Sequence, residues 1–101
     1  MGRKIGNFTK RLIARNVAVT HAVASGMGRL EARRFVIDSG FDATIIETLN
    51  AKIAEEGGDV EDEKTWIEKL REALPEIIAA IKALIELLGP LFGAVTTQDE
   101  I

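Results

Sequence analysis

His21 is the residue best suited to acid–base chemistry near neutral pH, and it is the only histidine in this 101-residue chain. Catalysis by a triad also needs a serine or cysteine nucleophile and a carboxylate that orients the imidazole. The chain contains no cysteine, and no serine–aspartate constellation around His21 resembles a triad motif. Helical spacing places His21 on the basic side of its segment, so we expect a solvated or interfacial histidine without a catalytic role.

A cluster of acidic residues before the C-terminal region could supply oxygen ligands to a calcium ion. Its members are Glu55, Glu56, Asp59, Glu61, Asp62 and Glu63. An EF-hand loop requires glycine at its sixth position and glutamate at its twelfth, but counting from Asp59 these positions hold Lys64 and Leu70. We interpret the acids as the start of a helix, where the helix dipole favours negative charge. The sequence therefore predicts neither a metal ion nor a cofactor.

Two close glycines in the stretch SGMGRLEAR, residues 25–33, invite comparison with a phosphate-binding loop. No strand is predicted before this stretch, and the Lys-Ser/Thr pair of a P-loop is missing. Many carboxylates are present, but no motif distinguishes one of them as a general acid or base. We therefore expect no enzymatic activity and no small-molecule substrate.

Charge is distributed unevenly along the chain, although the total is only −3. Residues 1–37 contain eight basic residues and one acidic residue, whereas residues 38–101 contain five basic and fifteen acidic residues. Such asymmetry indicates an anionic partner for the N-terminal part, either nucleic acid or a membrane surface. Attraction between the two parts within one fold explains it equally well. The residues expected to contact an anionic surface are Arg3, Lys4, Lys10, Arg11 and Arg15.

Helical spacing of apolar residues predicts that the N-terminal basic residues lie on an amphipathic helix over residues 4–25. The apolar line consists of Ile5, Phe8, Leu12, Val19, Val23 and, further on, Leu30. Part of this segment, NVAVTHAVAS, also alternates with the period of a strand. Alanines at positions 14, 18 and 22, followed by Gly26, recur every four residues, which suits a close contact between helices in a membrane or in a bundle.

Two shorter helices are expected after the glycines at positions 26 and 28, which interrupt the first helix. One covers residues 29–37, and a turn over residues 38–40 follows it. The next helix carries Ser39 or Asp42 as its N-cap and ends at Gly57-Gly58. The chain is thus predicted to be a single all-α domain, a small helical bundle or an extended helical hairpin. It has a basic helical region, residues 1–58, and a second region, residues 59–101.

The second region is predicted to contain a long helix from about residue 60 to about residue 88, kinked near Pro75. Its apolar residues recur at spacings of three and four, as at the a and d positions of a coiled coil. We interpret them as an interface, formed by Ile67, Leu70, Leu74, Ile77, Ile81, Leu84, Leu88 and Leu91. The flanking positions hold only one charged residue, Arg71, whereas a two-stranded coiled coil favours charges there. We therefore expect several helices, or lipid, to surround this face.

Lipid contact is limited by two charges within this apolar stretch. Residues 77–95 are about long enough to cross a bilayer, but Lys82 and Glu86 would lie in the hydrocarbon at a cost of several kcal/mol. A spanning helix, a helix lying flat on a membrane and a helix buried in a bundle all remain open, and burial in a bundle is favoured.

These patterns favour a non-enzymatic structural or assembly protein. It would oligomerise, or dock on another helical protein, through its C-terminal helix and contact an anionic surface, with a membrane favoured, through its N-terminal helix. Small accessory proteins of viral particles or membrane complexes share this composition, so the expected location is a membrane, the cytoplasm or a virion. One alternative is a soluble helical protein that binds nucleic acid non-specifically and oligomerises through the C-terminal helix. Another is a regulatory adaptor whose acidic part binds a basic partner.

Overall fold

A computed structural model describes the backbone of residues 3–99 and the side chains of residues 3–88. The described backbone contains four helices and no strand, which confirms the predicted all-α bundle and excludes the strand interpretation of the first helix. The helices are α1 (Asn7–Ala24), α2 (Arg29–Ser39), α3 (Phe41–Glu55) and α4 (Glu63–Asp99). The first three agree with the predicted helices to within a few residues at each end.

A single glycine, Gly40, separates α2 from α3. Its φ of 69° lies in the left-handed region, which residues with a Cβ rarely adopt. Its N–H donates to the carbonyl of Ile37 at 3.2 Å, and the same residue is the N-cap of α3. The N-cap of α3 is Gly40, which corrects the prediction that it is Ser39 or Asp42. Asp42 lies in the first turn of α3, where its Oδ1 accepts the Ala43 N–H at 2.9 Å and its Oδ2 pairs with Arg15 of α1.

The core forms around a line of alanines on α1. Ala14, Ala18 and Ala22 have no exposed surface, and α1 packs against all three of the other helices. Because these side chains are small, the neighbouring helices can approach α1 closely, as the four-residue spacing predicted. The large side chains of the core come from the other helices. Those almost completely buried include Phe35, Leu49, Ile53, Trp66 and Ile81.

Backbone and side-chain pairs fix how the helices run relative to one another. The residues before α1 and before α4 pair through backbone hydrogen bonds, from Ile5 N–H to the Glu61 carbonyl at 2.7 Å and from Glu63 N–H to the Arg3 carbonyl at 2.8 Å. These bonds place the starts of α1 and α4 side by side. Ion pairs between Glu56 and Lys69, and between Lys52 and Glu76, show that α3 runs antiparallel to α4.

The length of α4 sets the shape of the molecule. Its 37 residues span roughly 55 Å at 1.5 Å per residue, and the molecule measures 56 × 20 × 18 Å. The start of α3 lies beside Ala80, where Phe41 and Ala80 line the same small depression. The predicted end of α4 near Leu88 is not observed, because the helical backbone continues past Gly89-Pro90 to Asp99. One proline removes one helical hydrogen bond, and that loss does not end this helix.

Candidate functional site

Lys10, one of the five residues predicted to bind an anionic surface, lies inside the bundle. Only 2% of Lys10 is exposed, and its Nζ donates to Asn50 Oδ1 at 3.0 Å. The same Nζ lies 5.9 Å from the centroid of the Trp66 ring, within cation–π range. Burial lowers the pKa of Lys10 because it disfavours the charged form, and the carboxylates of Glu61 and Asp59 partly oppose this effect. Lys10 therefore does not contribute to an outward basic surface.

Arg15 also points toward another part of the chain. Its Nε and Nη2 donate to Asp42 Oδ2 at 3.1 Å and 3.0 Å, and Asp42 is buried. Lys4 lies 3.8 Å from Glu61 Oε1, but both side chains are exposed and such a pair contributes little to stability. Each pair joins a basic residue of the N-terminal part to an acidic residue of the C-terminal part. This is the result expected if the two oppositely charged parts attract each other within one fold. Of the five predicted residues, Arg3 and Arg11 remain exposed without an ion pair among the described residues.

Most of the apolar line predicted for the N-terminal helix lies outside the core of the bundle, whereas its first member, Ile5, is buried. Phe8 is 75% exposed and Leu12 is 45% exposed, and Val23 is exposed as well. The alanine line takes the core side instead, because only small residues fit where three other helices approach α1. We call Phe8, Leu12, Val19 and Val23 the α1 outer face; Val19 is half-buried.

A second exposed surface, not identified from the sequence, lies on α2. Leu30 is 82% exposed and Ile37 is 46% exposed, on the side of α2 opposite its buried residues. Arg33, Arg34 and Asp38 are exposed beside them, and the five residues line a shallow, open depression on the surface. We call these residues the α2 outer face. The signal that could have revealed it is the 30-33-34-37 spacing, which places these side chains on one face of a helix.

The predicted interface residues of α4 lie mostly within the molecule itself. Leu70, Ile77 and Ile81 are buried, whereas Ile67, Leu74, Leu84 and Leu88 are half-buried. Leu91 lies outside the described side chains. Trp66, at a flanking position of the heptad pattern, has no exposed surface and is the largest fully buried side chain. Among the described residues, then, the three-four pattern of α4 marks the contact of α4 with its own bundle.

A different side of α4 faces solvent. Ala79, Ala80, Ala83 and Leu87 are exposed, and Leu87 retains 75% of its surface. The charged residues Lys82 and Glu86 lie beside them and are also exposed. We call these six residues the α4 outer face. No helix in the described part of the chain is long and apolar enough to cross a membrane.

Groups capable of catalysis or metal binding are not gathered at any of these surfaces. His21 is half-buried near the end of α1, and its carbonyl accepts a hydrogen bond from Ser25 Oγ at 2.9 Å. Within the described residues, no group of three or more histidine, aspartate or glutamate side chains is placed to hold a metal ion. A depression of about 150 Å³ between α3 and α4 is lined mainly by apolar residues, with Glu76 at its edge paired to Lys52.

Comparison of the chain with protein-family models, with curated proteins and with solved structures gave no match. The geometry of the molecule is therefore the guide to its function. Within residues 3–88, exposed apolar side chains with charged residues among or beside them lie on α1, α2 and α4.

Proposed function

We propose that this protein is a non-enzymatic structural protein that contacts an anionic membrane surface through α1 and assembles with copies of itself through α4. The observation that carries the proposal is the exposed apolar α1 outer face, above all Phe8 and Leu12, with the cationic Arg11 beside them. Exposure of a phenylalanine and a leucine one helical turn apart is unfavourable in water, and burial of their apolar surface is favourable by roughly 25 cal/mol per Å².

A membrane interface suits this surface because it offers both an apolar and an anionic environment. An interfacial helix buries its apolar side at the boundary of headgroups and acyl chains and keeps its charges among the headgroups. Each basic residue near an anionic leaflet contributes about 1 kcal/mol. Since Lys10 and Arg15 are engaged inside the fold, Arg3, Lys4 and Arg11 supply this attraction from the predicted set.

Self-assembly through α4 is the second half of the proposal. Leu87 is exposed among alanines, so an approaching helix can come close to the α4 backbone there. A protein with one lipid-binding surface and one self-binding surface suits a component of a viral particle or of a membrane complex, and we extend the proposal to that class.

Flotation of the full chain with lipid vesicles tests the membrane contact. We expect the protein to float with vesicles of phosphatidylcholine and phosphatidylserine and to float less with phosphatidylcholine alone. Phe8→Glu should reduce flotation strongly, whereas Ala51→Glu, which adds the same charge at an exposed position of α3, should not. Failure of the wild-type chain to float with either vesicle would overturn the membrane contact. Salt-dependent binding to duplex DNA in its place would favour a nucleic-acid-binding protein.

A further inference from the structure

The exposed surface of α1 carries almost no charge, although this helix belongs to the basic part of the chain. α1 contains no acidic residue, and two of its three lysine and arginine residues, Lys10 and Arg15, are engaged inside the fold. Arg11 is therefore the only charged residue among the exposed side chains of α1. Attraction between α1 and an anionic leaflet thus depends on a single guanidinium group.

The arginine and the lysine that precede α1, Arg3 and Lys4, lie beside acidic residues. Glu63 N–H donates to the Arg3 carbonyl at 2.8 Å, and Lys4 Nζ lies 3.8 Å from Glu61 Oε1. Asp62 lies between these two glutamates in the sequence, so three acidic residues stand next to the two cations. Electrostatic forces reach about 8 Å at physiological ionic strength, so the acids oppose the attraction that Arg3 and Lys4 exert on an anionic leaflet.

Uncharged polar residues border the α1 outer face on its solvent side. Asn16 follows Leu12 by four residues and precedes Val19 by three, so it lies beside both on the surface of the helix. Thr9 and Thr20 lie on the same side of the helix as Asn16, and all three are exposed. In many interfacial helices this border consists of lysines and arginines, which bind the lipid headgroups. Because α1 has no such border on this side, burial of apolar side chains must supply most of the free energy of membrane binding.

Apolar side chains enter a bilayer most readily where its lipids are loosely packed. Strong curvature spreads the headgroups of the outer leaflet, and the gaps between them expose acyl chains to water. Phe8, with 75% of its surface exposed in the first turn of α1, and Leu12, one turn further on, can fill such gaps. Membrane binding of interfacial helices depends on curvature for this reason.

We propose that the α1 outer face binds strongly curved, loosely packed membranes in preference to flat membranes of the same lipid composition. The proposal rests on the membrane contact named above and identifies the kind of membrane that this contact selects. The few exposed cations favour an anionic leaflet, but the insertion of Phe8 and Leu12 into gaps between headgroups holds the protein there.

Two pairs of variants at exposed positions test the role assigned to charge. Thr20→Lys adds a cation to the uncharged border of α1, so it should raise flotation with large vesicles and reduce the preference for small ones. Ala51→Lys, which adds the same charge on α3, should leave the preference unchanged. Glu61→Gln removes an acid beside Lys4 and should also raise flotation with large vesicles, whereas Glu86→Gln, far along α4, should not. Circular dichroism confirms that each variant is helical. A preference for small vesicles that is as strong in Thr20→Lys as in the wild type would overturn this explanation of the selection.

Flotation of the full chain with vesicles of two sizes is the decisive test. Both sets contain the same mixture of phosphatidylcholine and phosphatidylserine and present the same total lipid area, with diameters of about 30 nm and about 200 nm. We expect the bound fraction to be several-fold higher with the small vesicles and to change little when salt is raised, because salt screens charges and not apolar contacts. Equal flotation with both sizes, or release from the small vesicles at high salt, would overturn the selection and leave the membrane contact intact. Failure to float with either size would overturn the membrane contact itself, and the selection with it.

Discussion

The Lys10 ammonium group lies 5.9 Å from the centroid of the Trp66 ring, so α1 and α4 meet at a buried cation and an aromatic ring. Asn50 of α3 accepts the hydrogen bond from Lys10 Nζ, and three helices therefore converge on this point. The indole Nε1 of Trp66 has no hydrogen-bond partner among the described residues. A buried ammonium group with one amide acceptor is incompletely compensated for its loss of water.

Replacement of Lys10 by methionine should leave the fold as stable as the wild type or more stable. Methionine keeps an unbranched stem and removes a charge whose burial is costly, and Asn50 is only half-buried, so its amide can bind water in place of the ammonium group. Trp66→Ala, which empties the centre of the same cluster, should lower the free energy of unfolding by about 3–5 kcal/mol. Urea denaturation measures both. A loss above about 2 kcal/mol in Lys10→Met would show that the bond to Asn50 is a net stabilising interaction.

Alkaline pH should increase the contribution of Lys10 to stability. Because burial holds the pKa of Lys10 below its ordinary value of 10.5, the unfolded chain binds more protons than the folded protein between the two values. The free energy of unfolding contributed by this group therefore rises with pH over that window. The hydrogen bonds that Lys69 donates to Glu56 and Glu72 raise the pKa of Lys69 above 10.5, so the stability contributed by Lys69 is lost only at higher pH. We expect the free energy of unfolding of the wild type, minus that of Lys10→Met, to rise as the pH is raised from neutral to 10.5. Urea denaturation at several pH values measures this difference, and a difference that does not change with pH would contradict the prediction.

The sequence predicted the helices of this bundle well because their signals are local. Glycines mark the ends of the first three helices, and the four-residue spacing of alanines identified the closest helix contact. These features depend on residues within one or two turns of each other, so a pattern in the sequence suffices to find them.

The buried side of α1 could not be predicted in the same way. Two lines of residues on α1 are candidates for its buried side. The larger and more apolar side chains belong to the line of Phe8 and Leu12, and the other line consists of alanines. The alanines are buried because α3 and α4 come too close for larger residues. The location of Lys10 depends likewise on Asn50 and Trp66, which are distant in sequence, so its basic character indicated a surface role that it does not have.

Asp62 should stabilise the start of α4 as a carboxylate. Its Oδ2 accepts hydrogen bonds from the Thr65 N–H at 2.9 Å and from Thr65 Oγ1 at 2.7 Å, and these bonds hold the pKa of Asp62 below its ordinary value of 3.8. The stabilisation is therefore present above pH 3.8 and is lost as pH falls through the lower folded pKa. Asp62→Ala should lower the midpoint of thermal unfolding at neutral pH, and Asp62→Asn, which keeps an acceptor, should lower it less. The midpoints of thermal unfolding of the wild type and of Asp62→Ala should become more similar in acid. A difference between the two midpoints that stays constant with pH would show that the charge of Asp62 does not contribute to stability.

Arg15 and Arg11 should differ in what their removal affects, although both are basic residues of α1. Arg15→Ala leaves the buried carboxylate of Asp42 without its partner, which should lower the free energy of unfolding by about 2 kcal/mol. Arg11→Ala removes an exposed charge and should change it by less than about 0.5 kcal/mol. Flotation with anionic vesicles should weaken in Arg11→Ala and persist in Arg15→Ala at temperatures where that variant is folded. Equal loss of flotation in the two variants would indicate that the Arg15–Asp42 pair opens at the membrane.

Substitutions on the two lines of α1 distinguish the packed side from the docking side. Ala18 has no exposed surface, so Ala18→Leu forces extra volume between closely packed helices and should lower the free energy of unfolding by about 1–3 kcal/mol. Leu12→Ala removes a larger side chain from an exposed position, and its effect on folding should stay within about 0.5 kcal/mol, while its flotation with anionic vesicles should fall. If Leu12→Ala instead costs the roughly 2–5 kcal/mol typical of a core leucine, the α1 outer face is packed against protein in solution. It would then be unavailable to lipid.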